Sequence, residues 1–361
     1  MQKATHDFVL AQKIGFGIIG CGGIAFDAHL PSLKEIPSAE VVAVSNRSEG
    51  KAIKAAEYCG ISTWYTDNQK VIDEEGVDAV VICIPPNGHA EWTIKAAEAG
   101  KHVLCEKPMA RSVQECDKMI EAAHRNKVKL MVAEMKRFNP GFRKVKELID
   151  EGVIGDVFMV RYHNSYHEPH VRKAWWVQPE ISGGGEMMNE LTHQVNTLRW
   201  MIGEVKRVSA LTNHPWGPPP EDNAVVSLEF EGGAIGVVTV SWMTKEYNFA
   251  FPAPLDHAWD EKIEIFGAEG SILIETPFTY WRIPLKLSLY TEKELPGYNK
   301  GWNFPRVPAT NHYVAQIQHF IDCIRNDTES EVSGEEGRAD LAVVRAAMES
   351  AETGRVVTLP K

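Results

Sequence analysis

The sequence contains no run of 18 apolar residues, which excludes an ordinary membrane-spanning helix. Its six cysteines, at positions 21, 59, 83, 105, 116 and 323, form no C-x-x-C pair and no zinc-ligand spacing, so they read as reduced thiols rather than a disulfide or metal framework. The apolar patch Phe8-Val9-Leu10-Ala11 is too short for a signal-peptide core, and the expected location is the cytoplasm. Basic residues are also in short supply. With 38 Lys and Arg against 49 Asp and Glu, the formal net charge is -11, so a polyanion such as nucleic acid would meet net repulsion. No basic patch, internal repeat or low-complexity tract offsets this. What is present is a 44% apolar fraction in 361 residues, enough for a sizeable core and long enough for two domains.

From Lys13 to about Met135 short apolar runs alternate with helical patterns, as in βαβ units on a parallel sheet. Strands are expected at Ile14–Ile19, Val41–Ser45, Ala79–Ile84, His102–Cys105 and Lys129–Val132, with helices at Lys51–Tyr58, Ala90–Ala99 and Val113–Arg125. Beyond Lys136 the pattern changes. Helical stretches at Gly141–Glu151 and Glu186–Ile202 flank a strand at Asp156–His163. Strands then follow one another at Val205–Asn213, Asn223–Phe230, Ala234–Trp242, Lys262–Phe266 and Ser271–Glu275, and helices at Asn311–Arg325 and Gly334–Glu352 close the chain. The expected fold class is therefore α/β: a doubly wound Rossmann domain over residues 1–136 and an α+β domain, with an open and mostly antiparallel sheet, over residues 137–361.

Gly20-Cys21-Gly22-Gly23-Ile24-Ala25 follows the first strand and opens a helix, fitting G-x-G-x-x-[GA]. The first glycine permits a tight turn, the second lets backbone N–H groups approach a pyrophosphate, and the small Ala25 allows close helix–strand packing. An acidic residue at the end of the second strand would bind the adenosine ribose of NAD. This chain has Asn46, Arg47 and Ser48 there, which suit a 2′-phosphate better and lean the cofactor towards NADP.

Three further segments go beyond a nucleotide fold, the first two at strand ends where doubly wound sheets bind ligands. Pro85-Pro86-Asn87-Gly88-His89 ends one strand, Glu106-Lys107-Pro108 ends another, and Gly183-Gly184-Gly185 introduces a helix carrying Asn189, His193 and Asn196 at i, i+4 and i+7. Met187, Leu191, Val195, Leu198 and Ile202 form its apolar stripe. With Arg137-Phe138-Asn139-Pro140 at the domain junction, these pieces resemble, in order and spacing, the glucose–fructose oxidoreductase, inositol dehydrogenase and rhizopine-catabolism family, abbreviated Gfo/Idh/MocA. The resemblance implies nicotinamide-dependent oxidation or reduction of a sugar or polyol by a homodimer or homotetramer. It makes Lys107 the lysine that contacts the reacting oxygen and His193 the proton-exchanging histidine, with Asn189 beside them. It places the cofactor against Gly20, Gly22, Gly23, Ile24, Ala25, Asn46, Arg47, Pro85, Asn87, His89, Glu106, Lys107 and Arg137.

One position departs from that pattern. Many sugar and polyol dehydrogenases of the family carry an aspartate where this chain has Asn189, and an aspartate is also frequent at Asn196. An asparagine supplies no charge to stabilise imidazolium, so base strength at His193 is open and the reductive direction or a different substrate would suit the loss. Tyr166, Trp175 and Trp176 precede the triglycine and are expected to line the substrate pocket, since sugar rings stack on aromatic faces. His163, His167 and His170 lie on a strand and loop without H-E-x-x-H, and no metal is expected. Two other functions remain on the same fold: a glycoside hydrolase using bound NAD for transient oxidation, and a non-catalytic nucleotide sensor.

Overall fold

The computed structural model describes residues 13–168, 170–171, 174–244, 259–276 and 284–360. The Phe8–Ala11 patch lies outside them. The first sheet contains β1 (Ile14–Ile19), β2 (Ala39–Ser45), β3 (Trp64–Tyr65), β4 (Ala79–Ile82), β5 (His102–Cys105) and β6 (Leu130–Val132). All pairings are parallel and the order is β3-β2-β1-β4-β5-β6. Helices cover both faces, so the central strands are apolar throughout. Phe16, Ile18, Val80, Val81, Val103 and Leu104 are fully buried. Strand order reverses between β1 and β4, which opens a crevice at their carboxyl ends where dinucleotides bind in such sheets.

Among the described residues the second sheet has nine strands in the order β14-β13-β12-β11-β7-β10-β9-β8-β15. In chain order these are β7 (Val157–Tyr166), β8 (Val205–Asn213), β9 (Asn223–Phe230), β10 (Ile235–Ser241), β11 (Trp259–Gly267), β12 (Gly270–Thr276), β13 (Lys286–Thr291), β14 (Gly301–Asn303) and β15 (Val357–Thr358). Among the described residues of this sheet only β7 and β10 pair in parallel. Alternation along β9 buries Val226, Leu228 and Phe230 and leaves Val225 exposed, as expected of a sheet with one covered face. Helix Gly334–Thr353 packs on β8 and also against helices Thr192–Ile202 and Val113–Asn126, so it ties the two sheets together.

Several local readings change. Strand β4 stops at Ile82 rather than Ile84, β7 runs on to Tyr166, and β3, β13, β14 and β15 were not anticipated. Glu186–Ile202 is not one regular helix. A π-helical turn, Met187–Leu191, leads into Thr192–Ile202, and such turns gather at functional sites.

The chain passes between the sheets through a 3₁₀ turn, Met135–Phe138. Its Lys136 is buried, donates to the Tyr162 hydroxyl at 2.9 Å and pairs with Glu261. The Glu261 carboxylate also accepts from Tyr162 Oη at 2.6 Å and Thr276 Oγ1 at 2.6 Å. Burial alone would raise Glu261, but Lys136 and these hydrogen bonds hold it below the usual carboxylate range. A buried ion pair survives when both partners are satisfied in this way. It fixes the turn that begins right after Glu134.

Candidate active site

The glycine-rich loop begins where β1 ends. Gly20 has φ +98°, and a Cβ there would lie 2.6 Å from the Cys83 carbonyl oxygen, so no other residue fits. At Gly22, by contrast, an added Cβ meets no protein atom within 4 Å. The loop then winds into a π-helical turn, Ala25–His29, and helix Leu30–Glu35, with Ala25 wholly buried behind it. Open space over Gly22, closed space under Gly20 and a helix that starts right after them fit a dinucleotide pyrophosphate. Gly20→Ala is accordingly expected to cost about 1–3 kcal/mol of stability. Gly22→Ala should unfold within about 0.5 kcal/mol of the parent in a urea titration, yet bind the cofactor at least about tenfold more weakly by fluorescence titration.

Asn46 is drawn inward. Its Oδ1 accepts from the Cys21 N–H at 3.1 Å and its Nδ2 donates to the Ser48 carbonyl at 3.2 Å, so it braces the glycine loop, while Arg47 next to it is exposed. Beyond β4, Pro85 leads into the turn Pro86–Gly88 with Asn87 exposed. His89 is 1% exposed, with Nδ1 3.0 Å from the Pro108 carbonyl and Nε2 2.7 Å from the Ile84 carbonyl. Burial lowers its pKa. Both ring nitrogens thus face the two loops, and the one N–H of the neutral ring donates to one of the two carbonyls. Glu106 behaves similarly. Its Oε1 meets His29 Nε2 at 2.7 Å and its Oε2 accepts the Lys107 N–H at 3.1 Å. Burial pushes this carboxyl up, but the His29 bond and the nearby Lys107 charge hold it below its ordinary value.

Arg137, expected from the sequence against the cofactor, and Asn196, expected on the face of His193, bond to each other. Arg137 Nε donates to Asn196 Oδ1 at 2.9 Å, and its other nitrogens donate to the Glu331 carbonyl at 2.9 Å and to Glu336 Oε2 at 2.6 Å. Asn196 Nδ2 donates to Asp340 Oδ2 at 2.7 Å. The extra residue in the π turn offsets Asn189 from the regular helical face below it, so the expected stripe of Asn189, His193 and Asn196 is not shared. Arg137 and Asn196 brace helix Gly334–Thr353.

Lys107 and His193 are brought together at the carboxyl edge of the first sheet. Lys107 Nζ donates to the Asn189 carbonyl at 2.8 Å, approaches Asn189 Oδ1 at 3.5 Å and lies 3.7 Å from Glu190 Oε1. His193 Nδ1 is 2.5 Å from Glu134 Oε2. Glu134 was not anticipated. It follows β6, 59 residues before His193, and supplies the carboxylate that Asn189 does not. Nothing local in the sequence marks it. Asn189 looks elsewhere: its Nδ2 donates to Tyr166 Oη at 2.7 Å and to Glu186 Oε2 at 3.3 Å, and Tyr166 donates to the same carboxyl at 3.2 Å.

Electrostatics single out the Glu134–His193 pair. Burial pushes Glu134 up to about 8, against the pull of Lys107 and Lys136. Burial, helped by Lys107, takes His193 down to about 3. Both shifts disfavour charge, so near neutral pH the pair is uncharged and its shared proton belongs to the two groups jointly. Tyr166 and Glu186 are both raised well above their ordinary values, chiefly by burial.

Trp175 and Trp176 stack on each other at 4.1 Å, half-buried, in the turn Trp175–Val177. His163 bonds Thr239 Oγ1 at 2.6 Å and Ser165 Oγ at 2.9 Å, and His167 Nδ1 lies 3.3 Å from the Met243 carbonyl. Among the described residues no cluster of three metal-ligating side chains occurs. None of their helices is long and apolar enough to cross a membrane.

Residues 14–134 match the oxidoreductase family with an NAD-binding Rossmann fold, and residues 142–273 match the GFO/IDH/MocA C-terminal domain. The chain belongs to the Gfo/Idh/MocA oxidoreductase family. Family members similar to it include a myo-inositol 2-dehydrogenase of Thermotoga maritima, 29% identical over 349 residues that cover 95% of this chain and 98% of the relative. A D-xylose 1-dehydrogenase [NADP(+)] of Haloarcula marismortui is 25% identical, covering 96% of this chain and 94% of that one. Among solved structures, aldose-aldose oxidoreductase from Caulobacter crescentus, complexed with glycerol, superposes with a TM-score of 0.85 at 26% identity, over 96% of this chain and 100% of that chain. Like other Gfo/Idh/MocA members, this chain is an NAD(P)-dependent oxidoreductase.

Proposed function

We propose that this enzyme interconverts a secondary alcohol and a ketone or lactone on a sugar or polyol, with NADP(H) preferred. The observation that carries the chemistry is Lys107 set beside the buried His193–Glu134 dyad. Gly20, Gly22, Gly23, Ile24, Ala25, Arg47, Pro85 and Asn87 would hold the cofactor, which supplies the hydride acceptor or donor when bound. Asn46, His89, Glu106 and Arg137 would shape its cleft from behind.

Lys107 places a cation against the reacting oxygen and favours the alkoxide-like state. His193 Nε2 exchanges the hydroxyl proton while Nδ1 exchanges one with Glu134. With Glu134 protonated, its O–H donates to Nδ1 and Nε2–H is an acid ready to protonate a ketone oxygen. With the proton gone, the carboxylate accepts Nδ1–H, and Nε2 is a base for the alcohol. Since burial raises Glu134 to about 8, the acid form prevails near neutral pH, which supports reduction there.

Arg47, exposed beside the braced Asn46, supports the NADP preference. Arg47→Ala is expected to weaken NADPH about tenfold and leave NADH within about twofold, read by fluorescence titration. Equal effects on both would contradict the assignment. The experiment for the function is a panel of neutral sugars and polyols followed at the nicotinamide absorbance. Stoichiometric change in that absorbance supports it, and cofactor binding without turnover of any panel member counts against it. Exposed Leu211, Ile235 and Val356 on the outer face of the second sheet support a homodimer or homotetramer packed through that face. The unpaired thiols of all six cysteines suit a cytoplasmic enzyme.

A further inference from the structure

Glu186 and Glu190 lie on the π-helical entry to the helix that carries His193, and the charge of Glu190 is close enough to act on both Glu186 and the catalytic imidazole. Glu186 is wholly buried behind Tyr166 and Asn189. Its Oε1 has no hydrogen-bond partner among the described residues. Glu190 is different. Its side chain keeps 11% of its surface accessible, close to the 15% of Lys107 beside it, so neither is sealed in. Its Oε2 is anchored by Asn164 Nδ2 at 2.8 Å, from β7. Its Oε1 stands 3.7 Å from Lys107 Nζ, beyond an ordinary hydrogen bond. An acceptor is therefore held rigidly one step away from the cation assigned to the reacting oxygen.

Resting on the dehydrogenase reading above, we propose that Glu190 is a specificity-determining residue: it accepts a hydrogen bond from the hydroxyl on the carbon next to the reacting one, and its charge turns away sugar acids and sugar phosphates. Lys107 takes one oxygen and Glu190 the proton of its neighbour, the spacing a vicinal diol presents. A buried acceptor left without its donor discriminates strongly against a deoxy analogue. A substrate carboxylate or phosphate beside Glu190 meets a like charge in a partly desolvated site, which is selection by repulsion.

The test compares the full-length enzyme with Glu190→Gln and Glu190→Asp on two substrate sets. One is D-glucose, 2-deoxy-D-glucose and D-glucuronate, and the other is myo-inositol, a deoxyinositol and an inositol monophosphate. For the parent enzyme kcat/KM should fall at least about 30-fold on the deoxy analogue and about 100-fold on the anionic one. Glu190→Gln should raise KM for the neutral substrate about tenfold with kcat within about threefold, and recover the anionic substrate at least about tenfold. Glu190→Asp, one methylene shorter, should lose the deoxy discrimination and keep the exclusion of anions. Wild-type ratios in both variants, or a parent enzyme that prefers the anion, would overturn the inference and leave the dehydrogenase reading standing. Failure of the parent enzyme on every neutral sugar would overturn both.

Discussion

Lys107→Ala is expected to lower kcat by about 10²- to 10³-fold, the range seen when a group that stabilises oxyanion charge is removed from a dry site. Lys107 is held by the Asn189 carbonyl at 2.8 Å and faces Glu190, so its ammonium is positioned before substrate arrives. None of the glycine-loop hydrogen bonds depends on it, and cofactor affinity should stay within about threefold, so the loss should fall in kcat. The measurement is steady-state kinetics with the cofactor titrated separately. Wild-type turnover in the variant would remove Lys107 from the chemistry.

Glu134→Gln is expected to reduce kcat by about 10²-fold and to change its pH dependence as well. In the parent enzyme the dyad releases its shared proton as pH rises through about 8. Above that value the base form dominates, so kcat/KM for alcohol oxidation should rise through about 8 and kcat/KM for ketone reduction should fall over the same window. A glutamine cannot take up the proton. His193 alone, held down to about 3 by burial and Lys107, stays neutral throughout that window, and the variant's profile should be flat there. A purely structural role for Glu134 would lower the rate without moving the profile. The two outcomes separate in one set of pH-rate measurements.

The parts of this site that were legible in the sequence are those that sit on one short segment. Gly20 to Ala25 is readable because a tight turn, a close approach and a small packing residue must occur at fixed spacing after a strand. Lys107 is readable because a strand end followed by proline puts it on the ligand-binding edge. Glu134 was not, because its relation to His193 exists only once β6 and the helix beginning at Thr192 are packed side by side. Without it, Asn189 read as a lost charge. The structure moves that charge to another element.

Helical periodicity misplaced Asn196 for a related reason. The π turn at Met187–Leu191 breaks the regular spacing, and the whole helix is enclosed, so its polar face finds partners in Arg137 and Asp340 instead of the cleft. His89 illustrates the other limit of motif reading. A histidine at the mouth of a cofactor site is conspicuous in sequence, yet the two carbonyls that its nitrogens face come from Ile84 and Pro108, on separate loops. The overall architecture was easier, since alternating apolar runs and helices permit few arrangements. The short strands β3, β14 and β15, of two or three residues each, have too few positions to show a period.

The central claim, direct hydride transfer between a sugar or polyol carbinol and a nicotinamide beside Lys107 and the His193–Glu134 dyad, is tested most directly by a single-turnover isotope experiment. A substrate identified in the panel is deuterated at the reacting carbon and mixed with excess enzyme and NADP. The account predicts one equivalent of reduced cofactor carrying the deuterium, one equivalent of oxidised sugar, and loss of this transfer in Lys107→Ala. Deuterium that returns to a released sugar with no net cofactor change, or that never leaves the substrate, would contradict it.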